Sequence, residues 1–218
     1  MHHHPSDELL LDYASGALGE GWSLAIATHL ALCPACRRAV AGMETLGGGF
    51  LTSVAPAPIG DDALDIVMAR LDAEPQEPAA APVAEIPRGA EPVLPQPLRG
   101  YLGGDAGDLE WRRLGLGAFQ VPVAMEDRRT SVRLLRIPAG RPVPEHSHRG
   151  LELTLVLRGA FSDATGEYKR GDFQEADDSL EHRPHAAPGE DCICLAVTDA
   201  PLRFSSVTAR IVQPLLGI

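Results

Sequence analysis

The stretch Gly140–Gly159, GRPVPEHSHRGLELTLVLRG, contains the residues that decide the fold of the C-terminal part. His146 and His148 stand two positions apart, and Glu152 follows four positions later. Because residues two apart in a β-strand point to the same face, these three side chains share one face and can meet at one metal ion. Two imidazoles and a carboxylate suit a divalent transition metal of borderline softness. A surface strand rich in histidine and glutamate is the plainer alternative.

The spacing of these residues resembles the first sequence motif of the cupin family, G-x5-H-x-H-x3-E-x6-G. A further ligand candidate, His182, follows the turn at Gly171, and the stretch between them resembles the second cupin motif, G-x5-P-x-G-x2-H. Asp177 and Ser179 stand where that motif has proline and glycine, but its histidine is retained. The resemblance implies a β-barrel in which four residues hold a divalent metal: His146, His148, Glu152 and His182. Zinc is the first expectation, and manganese, iron and nickel are also compatible with these ligands.

The rest of the chain divides into a helical part, a proline-rich segment and a strand-rich part. From about Leu98, short apolar or alternating runs separated by turn residues are typical of an antiparallel barrel or sandwich: SVRLLRI, LELTLVL, CICLAV and LRFSSV. Residues 73–97 are rich in proline and contain few residues that can anchor a core, which indicates an extended linker. The sequence therefore predicts a multi-domain α + β chain with a helical domain over 1–72, a linker over 73–97 and a barrel over 98–218.

Apolar periodicity and capping residues predict four helices in the N-terminal domain. Ser6 is a suitable N-cap for the first, and the second is expected from about Glu20 to Leu32. Pro34 suits the first turn of the third helix, which the glycines at 47–49 are expected to end. The fourth, predicted over 61–72, carries an apolar stripe that either packs on a partner protein or folds back on its own bundle.

A second set of ligand candidates lies where the second predicted helix gives way to the third: His29, Cys33 and Cys36. If the helix ends near Cys33, then His29 lies one turn earlier on the same face. These three residues leave one tetrahedral position open, which a histidine of the N-terminal segment or a water could fill. His4 is the best placed, with His3 and His2 as alternatives. Zinc held by two histidines and two cysteines would form a closed, structural site.

The four cysteines of the chain allow further interpretations. Cys33 and Cys36 have the spacing of a redox pair, could be buried thiols without a ligand role, or could form a redox switch that releases zinc. Cys192 and Cys194 share one face of a predicted strand, where they are either sensor thiols near the metal or small core residues.

The segments SDELLLDYASGALGE and SLAIATHLALCPACR resemble the zinc-binding anti-sigma domain, in which a His-x3-Cys-x2-Cys core and an upstream histidine bind zinc. The resemblance carries these roles to His4, His29, Cys33 and Cys36. Because a cupin with a late Cys-x-Cys follows, the whole chain resembles the ChrR-type anti-sigma factors. That resemblance implies a helical domain that binds an extracytoplasmic-function sigma factor and keeps it from RNA polymerase. It also implies a cupin domain that responds to stress, oxidative in this family.

Composition limits the classes of partner. The formal net charge of −11 argues against DNA or RNA as a direct ligand and suits a basic protein partner. No apolar run approaches the ~20 residues that span a bilayer, and the first residues lack a secretory pattern, so a cytoplasmic protein is expected. A homodimer through the cupin is compatible with the sequence. The main alternative is a metal-dependent cupin enzyme, a dioxygenase or isomerase, but no accompanying set of acid–base residues is recognisable, so a non-enzymatic regulator is expected.

Overall fold

The structure, a computed structural model, describes residues 1–73, 91–114, 117–127, 129–201 and 203–204. Helices precede an antiparallel, strand-rich part, so the predicted α + β class is confirmed. Most of the predicted linker and most of the run LRFSSV lie outside the described residues. None of the described helices is long and apolar enough to cross a membrane.

The described helices are α1 (Asp7–Ala14), α2 (Glu20–Leu32), α3 (Pro34–Ser53), α4 (Ala63–Ala73) and α5 (Gln96–Leu102). The predicted start signals of α1 and α3 are confirmed. The Ser6 hydroxyl accepts a hydrogen bond from the backbone N–H of Leu9, and Pro34 is the first residue of α3. Helix α2 also has the bounds that the sequence pattern predicts.

Helix α3 is longer than predicted, because the glycines at 47–49 do not end it. The helix continues through them to Ser53. A helical glycine costs roughly 1 kcal/mol relative to alanine, which weakens a helix without forbidding it. The chain leaves the helix at Val54, two residues before Pro56, where a helical backbone becomes unfavourable.

Helix α5 lies where the sequence pattern predicts the linker to end and strands to begin, and that prediction was wrong for 96–102. Proline occupies the first turn of α5, and Gly103 ends it in the left-handed region with φ of 75°. The helix packs against α2, and Leu94 and Leu98 are fully buried in a core that includes α2 residues. A helix of seven residues is too short to show periodicity in the sequence. The domain boundaries as a whole stay a prediction.

The strands are β1 (Arg112–Arg113), β2 (Phe119–Val123), β3 (Ser131–Ile137), β4 (His146–Ser147), β5 (Glu152–Arg158), β6 (Ala160–Asp163), β7 (Gly166–Lys169), β8 (Phe173–Ala176), β9 (Glu181–His182), β10 (His185–Ala186), β11 (Cys192–Thr198) and β12 (Arg203–Phe204). The largest sheet has the order β1-β2-β3-β11-β5-β8. Two smaller sheets have the orders β10-β6-β7 and β12-β4-β9. All of the described pairs are antiparallel, as expected for a cupin.

Alternate residues of the central strands build two cores, one on each face of the largest sheet. Leu134, Leu155 and Leu195 are fully buried in the core that also contains the apolar residues of α1, α2 and α5. Val156 and Cys194 belong to the second core, on the opposite face. Because α2 contacts both β5 and β11, the helical part is packed directly on the barrel.

Candidate metal centres

The structure brings together the residues predicted for the N-terminal metal site: His4, His29, Cys33 and Cys36. Their ligand atoms all lie within 4.8 Å of one another. His4 Nδ1 is 3.4 Å from Cys33 Sγ and 3.3 Å from Cys36 Sγ. His29 Nε2 is 3.3 Å from Cys36 Sγ. His4 is the N-terminal histidine that joins this group, whereas the ring of His3 packs on Tyr168 with centroids 4.3 Å apart.

The local structure at the junction of α2 and α3 fixes the positions of three of these residues, His29, Cys33 and Cys36. Cys33 ends α2, donating its backbone N–H to the carbonyl of His29 at 2.8 Å. It also begins α3, where its Sγ accepts the N–H of Cys36 at 3.5 Å. Pro34 has a fixed φ that suits the first helical position. The local fold between His29 and Cys36 therefore brings the three side chains close together.

The geometry and the donor set fit zinc. A tetrahedral ion with Zn–S of about 2.3 Å and Zn–N of about 2.0–2.1 Å separates a nitrogen from a sulfur ligand by about 3.5 Å, close to the separations observed here. Burial, with a contribution from the neighbouring His4, lowers the pKa of His29 to about 4, which keeps the imidazole neutral for binding. Burial, with a contribution from Cys33, raises the pKa of Cys36 to about 12. A bound cation would oppose that shift because it binds the thiolate.

The predicted cupin histidines form a second cluster. His146 on β4 pairs directly with His182 on β9, and His148 follows β4 by one residue. His182 Nε2 lies 3.1 Å from His146 Nε2 and 3.2 Å from His148 Nε2. All three side chains are buried. The cluster is therefore assembled by pairing of short strands that are 34 or more positions apart in the chain.

The Nδ1 atoms of two of these rings are held by groups that can only accept hydrogen bonds at neutral pH. His146 Nδ1 donates to the carbonyl of Pro144 at 2.8 Å, and His182 Nδ1 donates to the carboxylate of Asp163 at 2.7 Å. Both rings then carry their proton on Nδ1 and direct an Nε2 lone pair toward the other ring. A cation at that point satisfies both lone pairs. Metal–nitrogen distances of about 2.0–2.1 Å place two such atoms about 2.9–3.4 Å apart, as observed, so the cluster fits a divalent metal.

Glu152 lies beside this cluster rather than within it. Its Oε2 is 3.4 Å from His148 Nδ1, and its Oε1 accepts a hydrogen bond from Thr154 at 3.0 Å. The group of mutually close ligand atoms contains the three histidines without Glu152. Burial raises the pKa of this carboxyl, against the opposing effects of His146, Thr154 and Arg133. Its role as a ligand stays a prediction, as do the ligand roles of the histidines.

Two comparisons with known proteins bear on the whole chain. Residues 102–201 match the family described as the ChrR cupin-like domain. The chain is 47% identical over 220 residues to the anti-sigma-E factor ChrR of Cereibacter sphaeroides, covering 100% of this chain and 99% of that protein. The chain belongs to the ChrR family of anti-sigma factors. The family resemblance that the two motifs predict is thereby confirmed.

A solved structure of a ChrR protein has the same architecture. The crystal structure of Rhodobacter sphaeroides SigE in complex with the anti-sigma ChrR matches with a TM-score of 0.75 and 43% identity. The match covers 91% of this chain and 99% of that one. The predicted helical part followed by a cupin barrel is therefore confirmed as the fold of this ChrR-family chain.

In this ChrR-family chain, sequence reasoning missed a carboxylate that supports the cupin cluster. Asp163, at the end of β6, accepts hydrogen bonds from His182, from Gln174 on β8 at 2.8 Å and from the backbone of Thr165 at 2.8 Å. These hydrogen bonds lower the pKa of Asp163, although burial acts in the opposite direction. No spacing rule marks this residue, because it meets His182 only through the fold of the barrel.

Cys192 and Cys194 occupy the second core. Their Sγ atoms are 3.4 Å apart, and both residues are buried together with Val156, Phe161 and Tyr168. Contact with Cys192, together with burial, raises the pKa of Cys194 well above its usual range. Because the thiolate is the reactive form, this environment favours the interpretation as core residues, and a sensor role stays a prediction.

Proposed function

We propose that this chain is an anti-sigma factor that binds and inhibits an extracytoplasmic-function sigma factor through its helical part. The full-length relative is an anti-sigma-E factor, and the matched solved structure is a SigE–ChrR complex. The observation that carries the proposal in this chain is an apolar surface on α3 and α4, which the described part of the chain leaves uncovered.

The exposed apolar side chains, together called the α3–α4 surface, form two sets, one at the end of α3 and one along α4, and each is about half or more exposed: Leu46, Phe50, Leu51, Val54, Leu64, Ile66, Val67, Met68 and Leu71. Helix α4 has no buried residue, so folding back on its own bundle does not cover its stripe among the described residues. Exposed apolar patches of this kind mark protein interaction sites. An amphipathic helix laid in the groove of a partner is a common way to cover one.

Charge supports a basic partner. The chain carries a formal net charge of −11, and four of its acidic residues lie beside or on α4: Asp61, Asp62, Asp65 and Asp72. A sigma factor must bind DNA and therefore presents basic surfaces. Opposite charge speeds association and orients the two proteins before the apolar contacts form.

The N-terminal metal site is proposed to hold this surface in shape. His29 lies on α2 and Cys36 lies in the first turn of α3, so a zinc ion bound to both would fix the direction in which α3 leaves the junction. Bound zinc would supply a structural cross-link and no chemistry of its own. Such binding contributes directly to folding free energy.

The cupin barrel is proposed as the sensor that leads to release of the sigma factor under stress, namely the oxidative stress that the family resemblance implies. Its buried histidine cluster is proposed to bind a divalent metal, with zinc expected first and manganese, iron or nickel compatible with the ligands. A regulatory role accounts for the helical part, which an enzyme of the cupin type does not need. Because a sigma factor acts in the cytoplasm, a cytoplasmic location is proposed together with this partner, and dimerisation through the barrel remains compatible with the fold.

The test is the affinity of the full-length chain for the purified sigma factor of its source organism. Val67 belongs to the α3–α4 surface, and Leu11 on α1 is an apolar side chain of similar exposure that does not belong to it, at 51% and 54%. We expect Val67→Glu to weaken sigma binding by at least about tenfold, because burying one unpaired charge costs several kcal/mol. Leu11→Glu should bind as the unchanged chain does. Equal affinities of the two variants would contradict the assignment of the surface.

A further inference from the structure

The N-terminal segment that carries His4 is attached to the barrel through backbone hydrogen bonds. The N–H groups of His2 and His3 donate to the Asp172 carboxylate, at 2.7 Å and 3.2 Å to the same Oδ1. The carbonyl of His3 accepts from the N–H of Phe173 at 3.1 Å. Further along, the N–H of Ser6 donates to Glu175 at 2.6 Å. The segment therefore lies along β8 on both sides of His4.

The attachment is built of well-buried groups on the barrel side. Asp172 is 2% exposed, and its other carboxylate oxygen accepts the N–H of Lys169 at 2.9 Å, which fixes the direction of the carboxylate. The side chain of Met1 covers Gly171 closely enough that a Cβ there would overlap it. The ring of His3 packs on Tyr168. These contacts leave the segment little freedom to move His4 away from Cys33.

The same strand also contacts the second histidine of the N-terminal site. The ring of Phe173 meets the ring of His29 edge-on, with centroids 5.6 Å apart and planes at 75°. Phe173 is 3% exposed and belongs to the core shared with α2. Asp172 therefore acts on His4 through the backbone, and Phe173 acts on His29 through its ring.

We propose that the beginning of β8 positions the histidine ligands of the N-terminal metal site, with Asp172 as the positioning residue for His4. This inference rests on the proposed metal binding at that site. All four candidate ligands lie in the first 36 residues, so the proposed positioning contact comes from a distant part of the chain.

The next residue of the strand reaches the other cluster. Gln174 points to the opposite face of β8 and donates to Asp163 at 2.8 Å, and Asp163 in turn holds His182. Three consecutive residues, 172–174, thus contact the supports of both candidate metal centres. A movement of β8 at one candidate metal centre is therefore expected to move the supporting residues of the other centre.

The test uses the full-length chain loaded with Co²⁺. Cobalt bound to thiolates shows a sulfur-to-metal charge-transfer band, whereas cobalt bound to histidines alone does not, so this band reports the N-terminal site. Its affinity is measured from the loss of the band to a competing chelator. The variants are His2→Pro, which removes the N–H that Asp172 accepts, and His2→Ala, which keeps it. Neither variant changes a barrel residue.

We expect His2→Pro to weaken cobalt binding at the thiolate site by roughly tenfold, the usual effect of losing a group that orients a ligand. We expect His2→Ala to leave the affinity and the band unchanged. The absorption of cobalt at the histidine cluster should be the same in both variants. Equal thiolate-site affinities of the two variants would overturn the proposal while leaving the metal site intact.

Asp172→Asn provides a second approach from the barrel side, with Asp177→Asn as its control because Asp177 is exposed and its carboxylate accepts hydrogen bonds from Ser179 rather than from the N-terminal segment. We expect a loss at the thiolate site in Asp172→Asn and none at that site in Asp177→Asn. A chain that shows no charge-transfer band in its unchanged form would refute the metal site itself, and this inference with it.

Discussion

Asp163 offers the most direct test of the cupin cluster at the level of a single residue. We expect Asp163→Ala to lower metal affinity of the barrel by roughly 10–100-fold, because His182 loses the acceptor that keeps its proton on Nδ1. Retained metal is measured after competition with a chelator. Glu181→Gln is the control, since Glu181 is exposed and adjoins His182 in sequence. Equal metal retention in the two variants would show that the carboxylate does not support the site.

Single residues also show how far sequence reasoning reaches. His29, Cys33 and Cys36 could be predicted because local helix geometry sets their spacing. Asp163 and Asp172 could not, because each acts across a large sequence separation, 19 positions to His182 in one case and 170 to His2 in the other. Glu152 is intermediate in predictability. The cupin motif identifies the residue, but only the folded structure shows which atom of His148 its carboxylate faces.

At the scale of elements, the glycines of two helices predict opposite effects of the same substitution. Among the described residues, an added Cβ at Gly48 in α3 meets nothing within 4 Å, whereas at Gly21 in α2 it would overlap Thr130 and approach Val132 Cγ2 at 2.7 Å. We expect Gly48→Ala to stabilise the second half of α3 by about 0.5–1 kcal/mol, measured as slower amide hydrogen exchange.

The matched substitution Gly21→Ala is expected to lower the free energy of unfolding by about 1–3 kcal/mol, because α2 must move away from β3 to admit the methyl group. Chemical denaturation measures it. Stabilisation by Gly21→Ala would contradict the close packing of α2 on the barrel.

The helices differ in how well they could be predicted from the sequence. Helix α2 was predictable because apolar periodicity and Pro34 agree on its end. The end of α3 was not predictable, because glycine only weakens a helix. Among the described residues, no atom lies close enough to the added Cβ positions at 47–49 to end the helix there by packing. Helix α5 was hidden because its stability comes from burying Leu98 against α2, which is a tertiary effect.

For the whole molecule, the buried histidines predict how the metal-free chain responds to acid. Burial lowers the pKa of His29 and of His148 from 6.5 to about 4. Below pH 6.5 the unfolded chain takes up protons that the folded chain does not, so stability is lost as the pH falls toward about 4. The raised pKa of Glu152 acts in the opposite direction.

We therefore expect the denaturation midpoint of the chelator-treated chain to fall between pH 7 and pH 5. A double variant, His29→Gln with His148→Gln, should show a smaller fall. Metal-loaded protein should lose stability more steeply, because protons compete with the ion for the same nitrogens. An unchanged midpoint across this range would contradict the burial of neutral histidines.

The arrangement of the two parts was beyond sequence analysis. Proline enrichment over 73–97 suggests independent domains, yet a shared core and the contacts of the first six residues join the helical part to the barrel. The pattern of apolar residues within a short stretch of sequence shows which face of a helix or strand is apolar. It does not show which of several other apolar faces that face packs against.

The attachment of the N-terminal segment to Asp172 has a consequence for synthesis on the ribosome. The four ligand residues have all been translated by position 36, but Asp172 follows 136 residues later (172 minus 36). At ~5–20 residues per second, that interval lasts roughly 7–27 s. During it, the nascent helical part has all four candidate ligands without the strand that is proposed to position His4. If the N-terminal site binds zinc, the proposal implies that the ion reaches its final affinity only after β8 has been translated and has folded against the N-terminal segment.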